Sequence, residues 1–133
     1  SVFDALDTVK MCLRVTAPMI ETMTVRADTM LRAAQTGFIN ATDLADYLVK
    51  KGLPFRTAYK LSGQIVAQCI AEDRVLETLP LASYKSYSPL FEEDVYREID
   101  LKSCVEKRGS EGGTSLSSVD AQIKYVEDFL KND

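Results

Sequence analysis

The stretch Asn40-Ala41-Thr42-Asp43-Leu44-Ala45-Asp46-Tyr47-Leu48-Val49-Lys50-Lys51-Gly52-Leu53-Pro54-Phe55-Arg56 holds one complete helix, its stop signal and the start of a second helix. Asn40 or Thr42 offers a side-chain oxygen to the free N–H groups of a first turn. Leu44, Ala45, Leu48 and Val49 then fall on one helical face. Lys50-Lys51 set positive charge against the negative end of the helix dipole, and Gly52 beyond them suits a C-terminal cap. Pro54 stands near the start of the next helix, where its missing N–H costs nothing. Ala58, Leu61, Ile65, Ala67 or Cys69, and Ile70 carry that second pattern to about Glu72. A three-residue turn between the two makes an α-hairpin.

Upstream, Arg26 to Thr36 carries Met30, Leu31 and Ala34 at helical spacing, with Gly37 placed to stop it. From Val2 to about Met23 the apolar residues form two stripes, Val2, Leu6, Val9, Leu13 and Ile20 on one and Cys12, Val15, Met19 and Met23 on the other. Two stripes require two sets of neighbours. A helix of that length, roughly 33 Å, exceeds what a small domain covers on both sides, so it belongs to a larger bundle. Pro18 inside the pattern predicts a kink or a break. Ser1-Val2-Phe3 opens without a capping box, so a natural chain is expected to continue upstream.

Downstream, Pro80 opens a short helix to about Tyr87, Pro89 starts another through Ile99, and Leu101 to Lys107 adds a turn or two. The loop Arg108-Gly109-Ser110-Glu111-Gly112-Gly113-Thr114 precedes a last amphipathic helix through Leu130, capped by Ser115 or Ser117. No alternating strand pattern of useful length occurs, so the fold class is all-α. The expected architecture is a long bundle helix, residues 1–25, followed by a small domain of short packed helices, residues 26–133.

The chain has 133 residues, 46% of them hydrophobic and 27% charged, which fits a folded domain and argues against disorder. With 20 acidic and 16 basic residues the net charge is −4, so no global field attracts nucleic acid or an anionic membrane. Lys50-Lys51 and Lys107-Arg108 read as solvated helix ends. Cys12, Cys69 and Cys104 match no metal-ligand spacing, and a reduced, cytoplasmic setting is expected. No membrane span or signal segment is evident.

Histidine is absent, which removes the commonest general base and transition-metal ligand. The glycine loop lacks the strand-to-helix setting and the Lys-Ser/Thr ending of a P-loop. Gly112-Gly113 are better read as positive-φ or close-approach positions. Glu92, Glu93 and Asp94 fall side by side in an expected first turn, where the dipole explains them, and adjacent helix positions diverge too far to form a carboxylate pair. Tyr84, Tyr87 and Tyr96 read as amphipathic packing residues with wet hydroxyls, and Cys69 and Cys104 as packed thiols without an activating neighbour. The α-hairpin has the rhythm of a helix-turn-helix, but Arg56 and Lys60 are too few for phosphate positioning.

The run Val2-Phe3-Asp4-Ala5-Leu6-Asp7-Thr8, the block from Asn40 to Arg56, then Ser88-Pro89-Leu90-Phe91-Glu92-Glu93-Asp94-Val95-Tyr96, and Gly112-Gly113-Thr114 together resemble the end of argininosuccinate lyase. The resemblance covers nearly the whole chain. It implies an all-helical member of the fumarase and aspartase superfamily, whose full-length enzymes split argininosuccinate into arginine and fumarate by proton abstraction and β-elimination. It further implies no cofactor and a homotetramer with a central helical bundle, in which residues 1–25 form the last strut. The family's catalytic serine loop, with its Gly-Ser-Ser and Met-Pro-Gln-Lys-Lys-Asn-Pro motifs, has no counterpart here. No catalytic, cofactor-binding or metal-binding residue is therefore assigned. The expected role is structural, with self-association through the exposed stripes of the first helix; a crystallin-like relative of the same fold is the alternative.

Overall fold

In the computed structural model, which describes residues 1–131, the chain runs through α1 (Val2–Glu21), α2 (Ala27–Thr36), α3 (Ala41–Lys50), α4 (Phe55–Ala71), a 3₁₀ turn (Leu76–Thr78), α5 (Leu81–Tyr87), α6 (Val95–Ile99), α7 (Leu101–Glu106) and α8 (Leu116–Lys131). The all-α class holds, with no strand among the described residues. The chain divides into two units, Ser1–Met30 and a second from Leu31 onward.

In the first unit α1 passes through Pro18 without a break and stops at Glu21. Pro18 has no N–H to give the Arg14 carbonyl, yet the helix needs only one more turn after it. The Pro18 carbonyl itself is well used, accepting from the Thr22 N–H at 3.1 Å and the Thr22 hydroxyl at 2.7 Å. Thr8 and Thr16 make the same backward bond to the carbonyls of Asp4 and Cys12. No residue of α1 is buried, and Phe3 is 83% exposed.

The second unit is organised around α3, which packs on α4 and α6. Leu44, Ala45 and Leu48 of α3 are fully buried against Ala58, Ile65 and Cys69 of α4. Val49 and Ile70, expected on the inner faces, instead lie at 37% and 64% exposure. Their positions fall outside the arc each helix turns toward the other. The Ser62 hydroxyl donates to the Ala41 carbonyl at 2.7 Å and ties the middle of α4 to the start of α3.

The ends of α2, α3 and α4 share one geometry. After α3, Gly52 takes φ 99°, its N–H reaches the Val49 carbonyl and the Leu53 N–H reaches Leu48. After α4, Asp73 takes φ 50° and the same pair of bonds forms from Asp73 to Ile70 and Arg74 to Cys69. After α2 the left-handed residue is Phe38, with φ 50°, and not Gly37 as the sequence indicates. Gly37 continues the helical turn, its N–H bonded to Ala33, so the reversal falls one residue later.

The aromatic floor of the core is Tyr84, whose ring lies 5.0 Å from Phe91 and 6.0 Å, edge-on, from Tyr96, while Tyr47 stacks on Phe91 at 5.7 Å. The hydroxyls of Tyr84 and Tyr96 are not left wet, as expected from amphipathic packing. Tyr84 donates to the Leu76 carbonyl at 2.8 Å and Tyr96 to the Leu79 carbonyl at 2.7 Å. Leu76 opens the 3₁₀ turn and Leu79 follows it, a turn that sequence periodicity did not reveal because it is shorter than one helical repeat. Replacing Tyr84 with Phe removes one of two donors to the Leu76 carbonyl, which keeps the Leu79 N–H at 3.2 Å, so Tyr84→Phe is expected to lower the unfolding free energy by about 0.5–1.5 kcal/mol. Urea denaturation measures it, and an unchanged midpoint would show that the bond contributes nothing.

Candidate functional site

The densest set of ionisable side chains lies where the C-terminal end of α3 meets residues 89–99. The Tyr47 hydroxyl donates to Asp94 Oδ1 at 2.6 Å and accepts from the Glu92 N–H at 3.1 Å. One turn on, Lys51 pairs with Glu92 and, at 3.1 Å, with Asp94, and its ammonium lies 5.3 Å from the Tyr47 ring centre. Lys50 pairs with Glu98 at 3.1 Å, and Lys107 reaches the same carboxylate at 3.0 Å and the Glu98 carbonyl at 2.8 Å. Arg108 pairs with Asp43 at 3.1 Å and also donates to the Cys104 carbonyl. The two basic pairs thus cross-link segments while Lys50, Lys107 and Arg108 stay exposed to solvent at the helix ends, as expected.

The acidic run also sits differently from the sequence expectation. α6 begins at Val95, so Glu92 and Glu93 belong to the turn before it and Asp94 is its N-terminal flank. Ser88 holds that turn, its carbonyl accepting from the Phe91 N–H and its hydroxyl from the Leu90 N–H. The Glu92 N–H, committed to Tyr47, is drawn toward α3. Helical periodicity from Pro89 cannot register a side chain arriving from more than forty positions upstream.

The electrostatics follow the geometry. The Tyr47 bond, followed by Lys51, holds Asp94 below the ordinary carboxylate range, and Lys107 with Lys50 does the same for Glu98. Lys51 and Arg108 are pushed up by their carboxylate partners. Burial raises Tyr84, Tyr47 and Tyr96, and it raises Cys69 and pushes Cys104 up to about 12. Every shift favours the charge state already present at neutral pH. A general acid or base needs the opposite, a value moved toward the working pH. This cluster joins helices and is not arranged to transfer protons.

The remaining sequence candidates are equally structural. Gly112 takes φ 73°, and a Cβ on Gly113 would lie 2.2 Å from the Arg108 carbonyl oxygen, so the loop needs both glycines. The Ser115 hydroxyl accepts the Ser118 N–H at 3.3 Å, which caps α8. Beside the loop is an open depression of about 730 Å³ whose lining includes Gly112, Ser117, Gln122 and Tyr125. Its charged lining residue is Glu111, the wrong sign for a phosphate. Among the described residues no group of three or more acidic, cysteine or histidine side chains is placed to hold a metal ion, and no helix is long and apolar enough to cross a membrane. The α4 cations Arg56 and Lys60 lie on the exposed side of the α-hairpin with the tilted pair Phe55 and Tyr59. Sequence reading overlooked Tyr47; the available signal was a tyrosine one turn before Lys51 on the buried face.

Residues 38–106, more than half of the chain, match the family model described as argininosuccinate lyase C-terminal. The matched span runs from the left-handed Phe38 to the end of α7 and contains the whole Tyr47 cluster. The chain is 53% identical to argininosuccinate lyase of Acetivibrio thermocellus over 130 residues, which is 98% of this chain and 28% of that protein. The lyases of one Clostridium botulinum strain and one Clostridium beijerinckii strain are 55% and 48% identical over the same shares. This chain belongs to the argininosuccinate lyase family. It spans under a third of the length of those curated relatives, and the expected resemblance to the family's C-terminal end is established.

Two outcomes follow from the cluster. Asp94 is depressed, so the stability it contributes is present above its unfolded value of about 4 and is lost as the pH falls through its lower folded value. Tyr47→Phe removes the bond chiefly responsible, so the variant should be less stable than the parent at pH 6 and the difference should narrow at pH 3. A difference independent of pH would remove Asp94 from the account. Of the three thiols, exposed Cys12 should react with a thiol reagent at neutral pH while buried Cys69 and Cys104 should not until the protein unfolds. Mass mapping of the modified residues checks this.

Proposed function

We propose that this chain is the non-catalytic C-terminal scaffold of an argininosuccinate lyase, the carbon–nitrogen lyase that cleaves argininosuccinate to arginine and fumarate in arginine biosynthesis. The observation that carries the reading is the identity of about half the residues along 98% of the chain to proteins of that name. The reaction requires a base to remove a proton and an acid to assist the departing nitrogen. This chain has no histidine, and its perturbed groups are locked in their resting charge states. The chemistry is supplied by other segments of the parent, and no catalytic, cofactor or metal residue is assigned here.

In this reading residues 1–25 are the last strut of the parent's central bundle and residues 26–133 its small helical domain. The domain walls the active-site cleft and gives neighbouring loops a rigid base. The parent is a cytoplasmic homotetramer, and the chain on its own associates with itself through the apolar stripes of α1, where Val2, Leu6, Val9 and Leu13 are all about half exposed or more. The purified chain is expected to release no fumarate from argininosuccinate, as followed by fumarate absorbance, whereas the full-length parent does. Turnover by the chain alone would overturn the scaffold reading.

A further inference from the structure

Arg108 bonds to three helices at once. Its N–H reaches back to the Val105 carbonyl of α7 at 3.1 Å, and its own carbonyl accepts the Ser115 N–H at 3.2 Å where α8 begins. Its guanidinium grips both oxygens of Asp43, at 3.1 and 3.5 Å, in the first turn of α3, and it also donates to the Cys104 carbonyl. The Asp43 side chain is 8% exposed. A solvated ion pair with a single contact holds little, whereas a forked pair on a buried carboxylate fixes both position and orientation.

The loop beyond Arg108 is built as one piece with α8. The Ser110 carbonyl accepts the Gly113 N–H at 2.8 Å and the Ser118 hydroxyl at 3.0 Å, and the Gly113 carbonyl accepts from the Gln122 amide at 3.1 Å. Ser115 and Ser118 are buried with their hydroxyls bonded to each other. The apolar core that unites α3 to α6 ends at Ile99 and does not extend into this piece. Arg108 fastens it instead, with its carbonyl on Ser115 and its side chain on Asp43.

We infer that Arg108 and Asp43 form a latch that sets the angle at which α8 leaves the helices α3 to α7. With the latch closed, the guanidinium holds the Arg108 backbone against α3, and the Arg108 carbonyl in turn holds Ser115. With it open, the loop and α8 turn as one piece about residues 107–109 while α3 to α6 stay packed on their apolar core. Gly113 is part of the device. A Cβ there would meet the Arg108 carbonyl oxygen at 2.2 Å and the Ser110 carbonyl oxygen at 2.7 Å, so only glycine lets the loop close on Arg108. The latch is independent of what the parent catalyses.

Double electron–electron resonance between spin labels at Lys60→Cys on α4 and Lys124→Cys on α8 tests it. The labels are placed in a Cys12→Ser background and diluted with unlabelled chain, so that only distances within one molecule are read; Cys69 and Cys104 are buried and stay unlabelled. The parent chain should give one narrow distance distribution. Arg108→Gln and Asp43→Ala should each at least roughly double its width, as an ordered segment becomes mobile. The two together should widen it no further than either alone, because both break the same pair. Gly113→Ala, which leaves both charges in place, should widen it as well, and each variant should keep a cooperative urea transition from the α3 to α6 core. A broad distribution in the parent chain would mean that nothing fixes α8. A distribution that stays narrow in Arg108→Gln and Asp43→Ala would mean that other contacts do, and either result overturns the latch.

Discussion

A helix of five residues, such as α6, leaves more backbone groups without an internal partner than it pairs, because the first four N–H and last four C=O groups of any α-helix are unpaired within it. The second unit is assembled from such short pieces, so its limiting constraint is the supply of donors to buried carbonyls. Apolar side chains cannot meet it. The unit therefore places polar tips on otherwise apolar side chains at its centre. Tyr84 serves the Leu76 carbonyl beside the Leu79 N–H, Tyr96 serves Leu79 and Asn40 serves Ile99 at 2.7 Å. Lys107 and Arg108 do the same from outside for Glu98 and Cys104. Each bond adds about 1 kcal/mol in place, but a buried carbonyl left without one costs more than that.

The same constraint explains which sequence readings succeed. The α3–α4 hairpin is legible because its signals are local: Gly52 meets a positive-φ demand within its own turn, and Pro54 directly precedes α4. α8 is legible for the same reason, since Ser115 caps a turn three residues away. The stretch from Pro89 misleads because its conformation is set by Tyr47, more than forty residues distant, and by Lys51. The tyrosine hydroxyls mislead because amphipathicity shows that the ring is buried but not where the oxygen finds a partner. Phe38 rather than Gly37 turning left-handed marks a limit of another kind. A single αL residue costs a non-glycine side chain roughly 1–2 kcal/mol, which packing of the Phe38 ring itself against the core offsets.

The roles of the polar side chains were also legible only in part. The missing histidine is a property of composition and needs no structure. The roles of Lys50, Lys51, Lys107 and Arg108 as inter-helix ties were not, because a basic pair at a helix end looks the same whether solvent or a carboxylate from another helix faces it. Here the partners are Glu98, Glu92, Asp94 and Asp43, drawn from three different segments.

Among the described residues, buried oxygens of Asn40, Gln68 and Glu77 have no donor, and that of Asn40 bears on how the unit is held. Asn40 is fully buried, and its amide N–H₂ donates to the Glu77 carboxylate at 3.1 Å as well as to the Ile99 carbonyl. Two acceptors on that side fix the orientation of the amide, leaving its oxygen facing inward without a donor, as is one oxygen of Glu77. Asn40 joins three elements at once: the start of α3, the 3₁₀ turn and the end of α6. An apolar residue there would remove the orphaned oxygen but would also leave the Ile99 carbonyl unpaired, at the junction where α6 gives way to α7. The side chain exchanges one unsatisfied acceptor for a fixed arrangement of three short elements, and a scaffold made of such elements depends more on that fixity than on the last increment of stability.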